Sequence, residues 1–300
     1  MIILELEHVS KSYNTKKIID NISFSVDQGE IFGLLGPNGA GKTTTLRMML
    51  DIIKPELGNI KVFGKDLDPG SKDRIGYLPE ERGLYKKSKV IELLVYLAQL
   101  KGMTKTLAME NTVNLLQSVE MLEHKDKKIE ELSKGMQQKI QFIATIIHGP
   151  DLIVVDEPFS GLDPVNTQII KNILLEQKKG GKTIILSTHM MEQAEAMCDR
   201  ILMINNGMVV LNGKVGDIKN EHRNNSIFLE FEGNLTSLEG LDQIENIIRH
   251  GTYIEIFIKE GRDVQSLIED IVTRVRILRL EQSTPSLNEI FIKIVKGVSS

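Results

Sequence analysis

No apolar run in this chain approaches the roughly 18 to 20 residues needed to cross a bilayer. The opening, MIILELEHVSKSY, also has no basic region followed by an apolar signal core. Neither a membrane span nor an export signal is read here, and a cytoplasmic protein is expected. Cysteine is nearly missing: the single Cys198 rules out an internal disulfide. The six histidines do not cluster with cysteine or carboxylates at metal-ligand spacing, which argues against a structural zinc site. An excess of one charge is missing too. The formal net charge is −4 and is evenly spread, leaving no basic face for a nucleic-acid backbone. Runs such as HKDKK (124–128) read as solvated loop or helix surface. There is no internal repeat and no low-complexity tract. What is there is 300 residues, 41% hydrophobic, enough to bury a sizeable core in one large domain or two.

The chain begins with alternation. Leu4 and Leu6 stand against Glu5 and Glu7, and Ile22, Phe24 and Val26 against Ser23 and Ser25, a period of two that predicts half-buried, antiparallel strands. The pattern then changes to continuous apolar runs: IFGLL (31–35), LIVVD (152–156) and TIILSTH (183–189). Such runs suit strands covered on both faces in a mainly parallel sheet. Helical spacing follows the first run in Leu46, Met49, Leu50 and Ile53 and is expected to stop near Pro55 and Gly58. From about 85 to 148 the spacing is helical, predicting a helical insertion between two core strands. Asn205, Asn206 and Gly207 between ILMI and MVVL signal a hairpin, and the polar KVGDIKNEHRNN (214–225) reads as a linker. Beyond it, strand-like IFLEFEG and IENIIRHGTYIEIFIK, helical DVQSLIEDIVTRV, a short IRILRL and a final SLNEIFIKIV predict a small α+β domain over 216–300.

Between the first buried run and the first helix lies GPNGAGKT (36–43), which fits the P-loop pattern G-x-x-x-x-G-K-[ST]. Gly36, Gly39 and Gly41 let backbone N–H groups turn toward one centre. Pro37, Asn38 and Ala40 complete the loop, and the helix opened by Thr43 and Thr44 adds its positive end. Lys42 is expected at the terminal phosphates and the Thr43 hydroxyl at Mg²⁺. A magnesium nucleotide also needs a carboxylate, and LIVVDEP supplies two. Asp156 is expected as a direct or second-sphere magnesium partner, and Glu157 to take a proton from, or orient, attacking water. Adjacent carboxylates repel unless a cation justifies them, although a helix-capping pair is the plainer alternative. His189 closes the third buried run. It is either a polar strand terminus or, with a γ-phosphate at the same sheet edge, a hydrogen-bonding group that holds water and Glu157 in register.

LSKGMQQK (132–139) opens another helix, running on through Ile140, Ile143, Ala144 and Ile147. Ser133 and Gly135 bring a hydroxyl, an unobstructed N–H and a helix dipole to its start. The P-loop, Asp-Glu pair and histidine approach a nucleotide from one side only, leaving the far side of the γ-phosphate open to donors from another surface. If Ser133 and Gly135 lie too far from their own cradle, they serve another chain's.

GPNGAGKT, LSKGMQQK, LIVVDEP, SGLD and His189, in this order, resemble the ATP-binding subunit of an ATP-binding cassette (ABC) transporter, over about residues 1–215. The resemblance implies a P-loop NTPase core of α/β class, with a mixed sheet, an antiparallel β subdomain and a helical subdomain, plus the small C-terminal domain. It implies ATP and Mg²⁺ as cofactors, ATP hydrolysis, and two cassettes associating head to tail around two ATP molecules in a closed two-fold dimer. Tyr13 is similar to the family's aromatic that stacks on adenine, with an ordinary turn tyrosine as the alternative. Asp163, in SGLD, resembles the polar contact of the loop between the two sites. Two departures stand out. Lys134, Gly135 and Met136 replace the usual Gly-Gly-Gln, and in IGYLPEERG (75–83) Glu80 stands where a glutamine normally follows strand and proline, as a possible oxygen ligand to magnesium. Both departures, and the tail PSLNEIFIKIV, are similar to an exporter-type (ABC-2-like) subgroup. The implied partners are a second copy or homologous cassette and a separate transmembrane permease, contacted between Glu80 and the helical lobe, which would hold this subunit on the inner face of the cell membrane; nucleic acid is not implied. The rival readings are a non-transport ATPase of the same fold and an ATP-binding regulatory module without turnover.

Overall fold

The structure, a computed structural model, describes residues 1–80, 83–222, 226–238 and 240–297. Residues 81–82 of IGYLPEERG and 223–225 of the expected linker lie outside the described residues. The chain divides into two units, Met1–Val215 and Gly216–Ser300. In chain order the first runs β1 (Ile2–Tyr13), β2 (Lys16–Asp27), β3 (Ile31–Leu35), α1 (Lys42–Met49), β4 (Leu57–Val62), α2 (Pro69–Lys72), β5 (Ile75–Leu78) and α3 (Val90–Leu100). It continues with α4 (Lys105–Ser118), α5 (Lys134–Ile146), β6 (Leu152–Asp156), α6 (Pro164–Lys179), β7 (Thr183–Thr188), α7 (Met191–Met197), β8 (Arg200–Asn205) and β9 (Met208–Lys214).

The alternating residues pair as period two requires. β1 and β2 are antiparallel with Leu4 opposite Val26 and Leu6 opposite Phe24, and β4 completes a three-stranded sheet on the other side of β1. Their inward residues join Leu46 and Met49 of α1 in one core, where Phe24 stacks on Phe32 at 5.4 Å between ring centroids. Each fully buried leucine or isoleucine there contributes about 1.5–3 kcal/mol. The continuous apolar runs become β3, β6 and β7, buried at every residue. They belong to a six-stranded sheet of order β5-β6-β7-β3-β8-β9, parallel from β5 through β8 and closed by antiparallel β9. Parallel neighbours need crossover connections, which here carry the helices. Strands about 4.8 Å apart bring the residues after β3, β6 and β7 to one sheet edge, although they are far apart in sequence.

Helix α1 stops earlier than the spacing through Ile53 predicts. Asp51 adopts a left-handed conformation at φ 55°. The N–H groups of Ile52 and Asp51 then turn back to the carbonyls of Arg47 (2.9 Å) and Met48 (3.0 Å). This is a Schellman cap with aspartate where glycine is usual. The β8–β9 hairpin has Asn206 at φ 49° and Gly207 at φ 78°, the conformation a two-residue turn of this twist requires. α3, α4 and α5 lie in the connection between β5 and β6. α5 is buried well beyond its apolar stripe, at Gln138, Lys139 and Gln141. Lys139 Nζ donates to the carbonyl of Val119, at the end of α4, at 3.1 Å, where a cation also suits the helix dipole.

Past α8 (Val215–Glu221), which begins on the last residue of the first unit, the second unit holds β10 (Ser226–Glu232), β11 (Ile244–His250), β12 (Tyr253–Ile258), α9 (Val264–Arg274), β13 (Arg276–Gln282) and α10 (Leu287–Gly297). Its sheet has the order β11-β12-β10-β13, all antiparallel. Ile227, Leu229, Ile254 and Ile256 on one face pack on Leu267 and Ile271 of α9, whose start is capped by Asp263. The linker expected over 214–225 is corrected: residues Val215–Glu221 form helix α8, burying Val215 and Ile218, one helical turn apart. Among the described residues no helix is long and apolar enough to cross a membrane.

Candidate functional site

Residues 36–44 wrap from the end of β3 into the start of α1. Gly36 (φ 147°), Gly39 (φ 78°) and Gly41 (φ 110°) carry the positive φ that the turn demands. Two of these are also closely approached: a Cβ on Gly36 would lie 2.1 Å from the Ile204 carbonyl, and one on Gly41 2.4 Å from Ile19 Cδ1. The Pro37 carbonyl accepts from Ala40 N–H at 3.2 Å, and the Ala40 carbonyl from Gly207 N–H at 3.1 Å, which ties the loop to the β8–β9 hairpin. Lys42 is buried, and its Nζ folds back to the Gly36 and Pro37 carbonyls at 2.9 and 3.2 Å. The loop thus surrounds its own ammonium group.

Above it opens a cleft of about 510 Å³, lined by Tyr13, Lys16, Ile18, Asn38, Gly39, Gly41, Lys42, Thr43, Thr44, Glu80 and Glu157. Tyr13 is the last residue of β1, half exposed, with Lys11 Nζ 5.7 Å from its ring centroid. Lys16 and Ile18 come from β2, just past the hairpin turn. The sequence gives no signal for them beyond their nearness to Tyr13.

The carboxylates sit at the same edge. Asp156 accepts from Thr43 Oγ1 at 2.9 Å through Oδ2, while its Oδ1 is buried without a hydrogen-bond partner. Burial raises the Asp156 carboxyl above the usual aspartate range, with the Ser187 and Thr43 hydroxyls pulling the other way. Glu157 has φ 48°, a conformation rare for a residue with a Cβ. Its Oε1 faces Lys42 Nζ at 3.5 Å, and its Oε2 meets His189 Nδ1 at 3.0 Å and the Thr188 hydroxyl at 3.2 Å. His189 lies one residue past β7 and is 45% exposed at its side chain, so it bridges the buried carboxylate and solvent. Thr188 escapes a reading by motif, although it is the neighbour of His189.

Three expected site residues stand elsewhere. Ser133 is the exposed N-cap of α5, its Oγ accepting from Met136 N–H at 3.3 Å, and Gly135 lies in the first helical turn; neither lines the cleft. Asp163 caps α6, accepting from Asn166 N–H at 2.9 Å, a bond that also holds its carboxyl below the usual range.

A phosphate loop after a buried parallel strand, with carboxylates and a histidine at neighbouring strand ends, defines a P-loop ATPase cassette. Residues 19–160 match the ABC transporter family, and residues 213–295 match the C-terminal domain of DrrA1-3-like ATP-binding proteins. The chain is 38% identical over 295 residues to the uncharacterised ABC transporter ATP-binding protein YhaQ of Bacillus subtilis, spanning 98% of this chain and 99% of that one. It is 31% identical to the linearmycin resistance ATP-binding protein LnrL of the same organism, covering 97% of both. A solved ATP-binding subunit of an ABC transporter superposes with a TM-score of 0.69 at 31% identity, over 73% of this chain and 93% of that chain. The chain belongs to the ABC transporter ATP-binding proteins, and its activity is ATP binding and hydrolysis.

Proposed function

We propose that this subunit powers export through a separate membrane permease, and that each ATP is completed by two copies of the chain joined head to tail. The observation that carries this is the placing of α5: its capped N-terminus is exposed and lies outside its own cleft. A helix start with a free glycine N–H is an anion site, and here it is available to a second molecule. A relative named for Nod factor export, 32% identical over 298 residues, supports an export role. A groove of about 380 Å³ between the end of α1, β5, α3 and α5, with Leu50, Ile52, Tyr77, Leu97 and Ala144 in its wall, is the surface we assign to the permease. On this reading the subunit works in the cytoplasm, on the inner face of the membrane.

Within the cleft, the roles follow from contact and charge. Tyr13 offers a ring to adenine, and the 36–44 backbone offers N–H groups to phosphate oxygens. Lys42 exchanges its loop carbonyls and Glu157 for the terminal phosphates. Glu157, released from Lys42 but kept by His189 and Thr188, orients or deprotonates the attacking water. His189 reaches the γ-phosphate from its exposed side. Thr43 Oγ1 and the unpartnered Asp156 Oδ1 are hard oxygen donors that fit Mg²⁺, and Glu80, which lines the cleft, is a third. Bound there, the ion neutralises phosphate charge. Asp163 and the loop before it lie toward the partner's site.

The test compares ATP turnover and oligomeric state in the wild type, Glu157→Gln and Ser133→Phe. Glu157→Gln is expected to lose about 10²-fold or more in rate yet bind ATP and elute as a dimer; Ser133→Phe is expected to lose both turnover and dimer. Full-speed hydrolysis by a strictly monomeric preparation refutes the composite site.

A further inference from the structure

The helix that begins at Ser133 is fastened to the catalytic carboxylate's own turn. Gln138 is buried, and its Nε2 donates to the Pro158 carbonyl at 2.6 Å. Pro158 occupies the second position of a turn that opens at Glu157 and closes with Ser160 N–H on the Glu157 carbonyl at 3.1 Å. Proline presets φ at that position, but the peptide plane that follows it distinguishes the two common turn types. Its carbonyl takes no part in the turn's own hydrogen bond, so the Gln138 amide fixes which way that plane faces. Glu157 enters the same turn at φ 48°, a conformation that persists only where its surroundings over-determine it.

Two further observations tie α5 to this region. A Cβ on Gly135 would meet Leu162 Cδ2 at 3.7 Å and Asn166 Nδ2 at 3.8 Å, so the first turn of α5 rests on the loop that leads into α6. A polar chamber of about 30 Å³, room for about one water, has Gln138, Gln141, Asp156 and Glu157 in its lining.

We infer that Gln138 is a positioning residue that relays the placement of the α5 N-terminus to Glu157 of the same chain. The inference rests on the reading that α5 of one copy caps the ATP held by the other. ATP in one cradle then fixes α5 of the partner, and through the partner's Gln138 it sets the carboxylate serving the second ATP. The two sites are coupled by a hydrogen bond inside each chain.

The full-length Gln138→Met chain, similar in volume but without the donor, tests this. The wild type is expected to hydrolyse ATP cooperatively, and the variant to lose about threefold to tenfold in kcat with its Hill coefficient falling to about 1. In the Glu157→Gln background the variant is expected still to dimerise with ATP. A Gln138→Glu chain, whose carboxyl donates only when protonated, regains rate relative to Gln138→Met as pH falls, which a purely structural role would not produce. A non-cooperative wild type, a Gln138→Met chain with wild-type kcat and Hill coefficient, a dimer lost with Gln138, or a ratio flat with pH overturns the inference. A Glu157→Gln chain that stays monomeric with ATP overturns the composite site itself, a failure seen before Gln138 is touched.

Discussion

Replacing Gly76 with alanine puts a methyl group where α5 leaves no room. Gly76 lies in β5, and a Cβ there would stand 2.2 Å from the Thr145 carbonyl oxygen and 3.0 Å from Pro150 Cγ. Ordinary contact begins at 3.4 Å, so the Thr145 backbone has to retreat by 3.4 − 2.2 = 1.2 Å. The obstacle is backbone within a helix and cannot swing aside. Overpacking of this kind costs about 1–3 kcal/mol, which lowers the melting temperature by about 2–4 °C per kcal/mol in a unit of this size. α5 is about 20 Å long, so part of the retreat reaches its other end, where Gln138 and Ser133 sit. A misplacement near 1 Å at a reacting centre costs about 10²-fold in rate; allowing for relaxation along the helix, we expect turnover to fall by about tenfold to 10²-fold. ATP binding to the isolated subunit should change by less than about threefold, because the cradle stands on β3 and α1. Calorimetry, steady-state ATPase assays and fluorescent-nucleotide titration measure the three quantities. An alanine variant that melts and turns over like the wild type would show that the close approach of α5 to β5 has no energetic or functional weight.

Two smaller tests follow. Tyr13→Ala should weaken ATP binding by about twofold to tenfold, the worth of one aromatic stack, with Tyr13→Phe restoring it; equal affinities for alanine and phenylalanine would remove Tyr13 from the adenine contact. His148 is held below the usual histidine range, first by burial and then by Lys101, while the Ile75 carbonyl at 3.3 Å pulls the other way. The unfolded chain therefore binds its proton at higher pH than the folded chain. Stability from this group is complete above about pH 6.5 and is lost as pH falls through and below that value. His148→Gln should flatten the melting temperature between about pH 7 and 5.5, and an unchanged slope would exclude His148 as its source.

The phosphate loop and the Asp-Glu pair are legible because their chemistry is local: spacing alone puts Lys42 and Thr43 at a helix start after a buried strand. The strands were legible for a similar reason, since LIVVD and TIILST state their burial residue by residue. The end of α1 was not, because the left-handed cap falls on Asp51 and leaves the apolar spacing to run on through Ile53. α8 was hidden by its length: a single apolar pair, Val215 and Ile218, in a polar stretch is too little to show a period. Least legible was the buried flank of α5. Gln138 and Lys139 look like solvent residues until the Pro158 and Val119 carbonyls, each 20 residues away, come to meet them. A polar side chain's burial depends on a distant acceptor that no local pattern records.

Strands β5 and β6 lie side by side in the sheet, yet everything from Pro79 to Asp151 is threaded between them. The excursion leaves from the end of β5 and returns to the start of the parallel β6, one crossover between adjacent strands, so α3 and α4 can lengthen, shorten or change their outer residues while α5 and the strand ends that hold Lys42, Asp156 and His189 stay where they are. On the proposed role, a lineage built on this plan is free to redesign what those two helices grip without retooling how it burns its fuel.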